Sequence, residues 1–121
     1  MAKYLDICIQ PIPKKHLAAY RKTTKVVGQL LVKYGALSSS DYVADDKNAS
    51  SLSFPKKIKT KANEVLVVSM AEFKSESHRK KVFTAILKDP RIMKEDMDPI
   101  WLDSDRATFG GFKLLVNVKG Q

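Results

Sequence analysis

Residues 64–73, Glu-Val-Leu-Val-Val-Ser-Met-Ala-Glu-Phe, constrain the fold more than any other stretch. Read with a period of two, Val65, Val67, Ser69, Ala71 and Phe73 fall on one side; Leu66, Val68, Met70 and Glu72 fall on the other. Both sides are largely apolar, which is the mark of a strand covered on two faces. Such a strand belongs inside a sheet, with helices on one face and further cover on the other.

The flanking segments supply partners for it. Residues 3–10 alternate, with Leu5, Ile7 and Ile9 on one side and Tyr4, Asp6, Cys8 and Gln10 on the other. Pro11 and Pro13 are expected to stop that strand, because neither has an N–H to donate. From Pro13 onward Leu17, Tyr20, Thr24, Val27, Leu31 and Tyr34 recur at helical spacing, with Leu30 widening the stripe. Gly35 is the expected residue just past that helix, and Gly28 inside it predicts a close packing contact. Residues 36–46 read as a weaker, polar strand suited to a sheet edge. Residues 47–63 form a loop or short helical turn that tucks Leu52, Phe54 and Ile58 against the body. Ser75 is a good N-cap for a second helix that turns Val82, Phe83, Ile86 and Leu87 inward and stops at Pro90. Met93, Met97, Pro99 and Trp101 fall in an irregular or briefly helical connection over residues 92–107. Residues 108–118 make a last strand, where Gly110-Gly111 allows a close backbone approach.

The order βαββαβ predicts one α+β domain over residues 1–121, ferredoxin-like, with a four-stranded antiparallel sheet and two helices on one face. The other face stays bare. Leaving several apolar side chains wet costs on the order of 1.5–3 kcal/mol each. A second subunit laid sheet-to-sheet in a closed two-fold homodimer removes that cost.

Composition narrows the chemistry. Among 121 residues, 22 are Lys or Arg against 13 Asp or Glu, a formal +9 that favours encounters with polyanions. Cys8 is the single cysteine, so no internal disulfide forms, and a thiol in an apolar run reads as a small buried side chain. Cys8, His16 and His78 lack the spacing of a metal site, and no cofactor motif is present. There is no signal-peptide pattern and no run of roughly 20 apolar residues to span a bilayer. Cytoplasm is the expected location, with no membrane partner.

Three groups of side chains merit weighing. Lys56, Lys57, Lys59 and Lys61 could clasp a phosphate backbone, although no nucleic-acid module accompanies them and a solvated face is the preferred reading. Among the carboxylates Asp6, Asp41, Asp45, Asp46 and Glu72, Asp6 is singled out. If Leu5, Ile7 and Ile9 pack on the helices, Asp6 points into the space between two subunits and needs a partner such as an arginine. Asp89-Pro90-Arg91 reads as a helix-ending turn whose arginine grips an acidic ligand or pairs with Asp89. His16 and His78 are expected at the solvent surface.

One set of strings runs through nearly the whole chain: Tyr4 and Asp6, Pro13, Tyr20-Arg21, Gly35-Ala36-Leu37, Asp46, Phe54, Lys59 and Asn63-Glu64. Then follow Ser69, Glu72, Phe73, Ser75 and Arg79, Asp89-Pro90-Arg91, Asp103, Arg106 and Gly110-Gly111-Phe112. Together these strings resemble a small bacterial family of unknown function that includes YbaA. The resemblance implies a dimeric α+β barrel and no established reaction. Lys56, Lys57, Lys61 and His78 depart from the pattern.

The preferred expectation is a dimer holding a small molecule between sheet and helices or between subunits. Tyr4, Asp6, Ser69, Glu72, Arg79 and Arg91 are the pocket candidates. A basic nucleic-acid-associated protein using Lys56, Lys57, Lys59 and Lys61 is the rival. A cofactor-independent enzyme follows from fold analogy alone, and no residue is singled out as catalytic.

Overall fold

The computed structural model describes residues 3–45, 50–92 and 105–120. In chain order these hold β1 (Tyr4–Pro13), a 3-10 turn (Lys14–His16), α1 (Leu17–Lys33), β2 (Ser38–Val43), α2 (Phe54–Lys57), β3 (Glu64–Phe73), α3 (Glu76–Ile86) and β4 (Thr108–Lys113). The strands make one antiparallel sheet in the order β2-β3-β1-β4, the ferredoxin-like arrangement that the segment order predicts. The stretch with Met93, Met97, Pro99 and Trp101 lies outside the described residues.

Pro11 and Pro13 do not stop β1, and the pairing pattern explains why. Lys14 N donates to Asn63 O, so the even residues of β1 turn their backbone groups toward β3. Ile9 O accepts from Thr108 Oγ1, so the odd residues turn theirs toward β4. Pairing with β4 ends at Ile9. The two prolines therefore remove donors only where the ladder has none to lose.

The register fixes two faces. Tyr4, Asp6, Cys8 and Ile12 stand opposite Phe73, Ala71, Ser69 and Val65. This face receives the helices, as the buried cluster of Leu30, Leu31, Ala71, Phe73, Val82 and Ile86 shows. Asp6 thus points at the helices rather than into an intersubunit space. It is Leu5, Ile7 and Ile9, with Val68, Met70, Tyr42 and Phe112, that form the bare face. Leu66 and Val67 are only 5% and 3% exposed, so β3 is covered on both sides at that point within one chain.

Local signals place the ends of the elements. Gly35 has φ +121°, a conformation that closes α1 at little cost only for glycine. Ser75 Oγ accepts from His78 N at 3.1 Å and caps α3. A Cβ on Gly28 would lie 3.0 Å from Ser39 Oγ, so α1 rides close over β2 as predicted.

Other expectations are corrected. Leu87 is exposed because α3 ends at Ile86 and Leu87 caps it. The short helical turn α2 forms, yet Leu52 and Phe54 remain exposed beside Leu66 and Val68. His78 is half-buried: its Nδ1 accepts from Lys74 N at 3.0 Å and its ring meets Phe73 edge-on. β4 ends at Lys113 because its neighbour β1 begins at Tyr4, leaving one last bond from Leu114 N to Lys3 O.

Candidate functional site

Polar side chains gather where β1, β2 and β3 pass under α1. Tyr20 on α1 donates its hydroxyl to Asp41 on β2 at 3.0 Å and meets Ser69 Oγ on β3 at 2.9 Å. Ser69 also donates to Asp41. The antiparallel register makes this possible, because Asp41 pairs directly with Ser69 and both share the helix face. One register step would send them to opposite faces.

Beside this triad lies a cavity of about 110 Å³, lined by Asp6, Cys8, Thr24, Ser39, Asp41 and Ser69 among others. Thr24, Gly28, Ser39 and Asp41 also line a wider trough of about 460 Å³ between α1 and β2. Trough and cavity thus share part of their lining. Burial, then the charges of Asp6 and Asp41, push the Cys8 thiol above its ordinary range, so it is a poor nucleophile. Burial is also the largest influence raising the Tyr20 phenol. The tyrosine is therefore a neutral hydrogen-bond donor at ordinary pH.

Asp6 found the arginine partner that the sequence required. Arg79 on α3 places Nε 3.0 Å and Nη2 2.9 Å from Asp6 Oδ1. The same guanidinium lies over the Phe83 ring, 4.9 Å from its centroid. Asp6 and Arg79 occupy one another, whereas Asp41 has no cation at salt-bridge distance among the described residues. Asp41 is the acceptor best placed for a ligand, and the sequence named it only as one carboxylate of five.

The remaining candidates are dispersed. Tyr4 lies at one end of the helix face, against Gly111. Glu72 stands on the bare face, accepting from Ser38 Oγ at 3.0 Å. Arg91 pairs with buried Asp89 beyond the end of α3, and Tyr34 donates to the same carboxylate at 2.7 Å. The Arg91 and Tyr34 hydrogen bonds hold the Asp89 carboxyl well below the usual range. This cluster is a structural tie remote from the cavity. Lys56, Lys57, Lys59 and Lys61 are exposed on and after α2. No group of His, Cys, Asp and Glu suited to a metal ion occurs among the described residues.

The family model described as a protein of unknown function (DUF1428) matches residues 3–104. The chain belongs to the DUF1428 family. In this DUF1428 chain the match takes in β1, β2, β3, α1 and α3, and therefore the whole Tyr20, Asp41 and Ser69 cluster. No curated protein matches it. Among solved structures it is similar to a dimeric ferredoxin-like protein from an uncultured marine organism. The two are 18% identical, with 99% of this chain and 100% of that one covered, at a TM-score of 0.53. The de novo designed protein Foldit4 is 12% identical over 97% of this chain and 100% of its own, at a TM-score of 0.44. The first likeness carries the ferredoxin-like fold. No helix of the described residues is long and apolar enough to cross a membrane.

Proposed function

We propose that this chain is a homodimer whose subunits each bind a small molecule in the cavity beneath α1. One observation carries it: Tyr20, Asp41 and Ser69 are converging polar groups beside a cavity in an otherwise apolar layer. A few convergent polar groups in an apolar pocket are the usual make-up of a ligand site. Asp41 accepts a hydrogen bond or a positive charge from the ligand, and the trough between α1 and β2 takes the rest of it. Asp6 lines the cavity with its charge already matched by Arg79. Pairing rests on the bare apolar face of the sheet, and the dimeric ferredoxin-like neighbour supports it. The strings by which this chain resembles the bacterial proteins that include YbaA hold Tyr20 and Ser69 but not Asp41, and we place those proteins in the same reading.

A thermal-shift panel of small polar and cationic molecules tests the site on the wild type, Asp41→Asn and Ser69→Ala. Ligands that raise the melting temperature of the wild type are expected to lose that effect in both variants. A panel with no shift, or shifts equal in all three proteins, removes the ligand site.

A further inference from the structure

Hydrogen-bond accounting in the cavity beneath α1 narrows what can enter it. Tyr20 and Ser69 bring two hydroxyl protons to three short contacts: Tyr20–Asp41, Tyr20–Ser69 and Ser69–Asp41. Neither proton is left to point into the cavity. Both hydroxyls reach Asp41 at Oδ1, and Oδ2 has no hydrogen-bond partner among the described residues. No Lys, Arg, His, Asn or Gln lines the cavity among those residues. The hydroxyls of Thr24 and Ser39 accept as readily as they donate. Asp6 adds a second carboxylate, and the charges of Asp6 and Asp41 both reach Cys8 in the same wall. The walls are rich in acceptors and poor in donors. A ligand end that fits them brings donors and positive charge.

Size and geometry choose among the cations. The volume of about 110 Å³ holds roughly three or four water-sized groups, at about 30 Å³ each. That admits an ammonium and its first methylenes. A primary ammonium has three donors and no acceptor, which matches these walls. A guanidinium grips a carboxylate through two parallel bonds, whereas both hydroxyls already occupy Asp41 Oδ1. A quaternary ammonium has no N–H and is held by aromatic faces. Phe83 is the only ring in the lining among the described residues.

The wider trough sets the other end of the ligand. Gly28 and Val32 give its lining apolar surface for methylenes, and Lys25 and Gln29 of α1 lie beside them. Lys25 is exposed and has no ion pair among the described residues. Asp41 lines both trough and cavity. One continuous lining thus offers a carboxylate at Asp41 and an ammonium at Lys25.

We propose that the site takes an ω-amino acid, a primary alkylammonium whose far end carries a carboxylate, with the ammonium on Asp41 and the carboxylate on Lys25. The inference rests on the ligand site proposed above and deepens it by naming the ligand's chemical class. A diamine would set its second ammonium against Lys25. A simple alkyl carboxylate would bring no donor to Asp41.

Isothermal titration calorimetry at low, fixed ionic strength tests it on the wild type, Asp41→Asn and Lys25→Glu. The probes are γ-aminobutyrate and ε-aminocaproate, which differ in length, with n-butylamine, putrescine, butyrate and choline. The wild type is expected to bind an ω-amino acid more tightly than n-butylamine or putrescine, and to give no heat with butyrate or choline. Asp41→Asn is expected to weaken that binding about 10-fold or more, as a charge-assisted hydrogen bond is lost. Lys25→Glu is expected to move the preference toward putrescine by about 10-fold. Should Asp41→Asn fail to fold, the exposed Lys25→Glu decides. Putrescine binding as tightly as the ω-amino acids, in both the wild type and Lys25→Glu, overturns the carboxylate end. If the panel above yields Asp41-dependent shifts from uncharged or quaternary molecules, and no primary amine gives heat, the proposal is overturned while the ligand site stands. If no molecule binds in an Asp41-dependent way, site and inference fall together.

Discussion

Arg106 grips both carboxylate oxygens of Glu64, with Nη1 to Oε1 at 2.6 Å and Nη2 to Oε2 at 2.7 Å, across 42 residues of sequence. Both side chains are largely buried, and Lys61 N adds a further bond to Glu64 Oε1 at 2.8 Å. The pair fastens the start of β3 to the chain entering β4. The Arg106 hydrogen bonds, foremost, hold the Glu64 carboxyl down at about 2 from an ordinary 4.5. The folded state therefore binds fewer protons than the unfolded one between these values, and stability falls as pH drops through that window. Arg106→Met is expected to move the acid-unfolding midpoint upward and to cost about 1.5–3 kcal/mol at neutral pH. Circular dichroism against pH and urea measures both.

Asp6→Asn removes one side of the Asp6–Arg79 pair. The side chains keep 19% and 28% of their exposure, so the loss is expected near the upper end for surface pairs, about 1 kcal/mol. Denaturant midpoints of Asp6→Asn, Arg79→Met and the double variant give the coupling. Independent effects would deny the pair any role.

Tyr20→Phe leaves the Ser69–Asp41 bond in place and deletes only the hydroxyl above it. The expected cost is about 0.5–1.5 kcal/mol. Because the folded state raises the Tyr20 phenol, its contribution is complete below the ordinary tyrosine value and lost as pH climbs past it. The alkaline unfolding of Tyr20→Phe should accordingly depend less on pH than that of the wild type.

Gly111 leaves the space that the Tyr4 ring fills. A Cβ there would stand 2.6 Å from Tyr4 Cζ and closer still to the hydroxyl oxygen. Gly111→Ala is expected to cost about 1–3 kcal/mol through overpacking. In a Tyr4→Ala background the same change should cost much less, and equal costs in the two backgrounds would show that the ring is not the obstacle.

Lys59 has φ +58° in the left-handed region, and its carbonyl accepts from Arg106 Nη1 at 3.1 Å. A non-glycine residue there costs about 1–2 kcal/mol, partly offset by the lower chain entropy of lysine. Lys59→Gly is expected to stabilise the protein by about 0.5–1 kcal/mol in thermal or urea unfolding. A loss of stability would mean that the lysine side chain contributes more than its backbone strain costs.

Much of the fold is legible in the chain because alternation is local. Val67 and Val68 had to take opposite faces, Gly35 had to end a helix, and Ser75 had to begin one. The two prolines of β1 were misleading because a missing donor matters only where a neighbour waits for it. That depends on where β4 stops. Tyr20, Asp41 and Ser69 come from three segments, and no spacing within any one of them marks a site.

The sequence by itself determined which side chains share a face, since a strand's period of two follows from backbone geometry. Only the tertiary structure decided which of the two faces the helices cover. That choice gave Asp6 to Arg79, left Asp41 without a cation among the described residues, and turned Leu5, Ile7 and Ile9 outward. The physical reason is that alternation is symmetric: exchanging the faces leaves the pattern unchanged. Long-range packing of α1 and α3 against Val67, Ala71 and Phe73 breaks that symmetry.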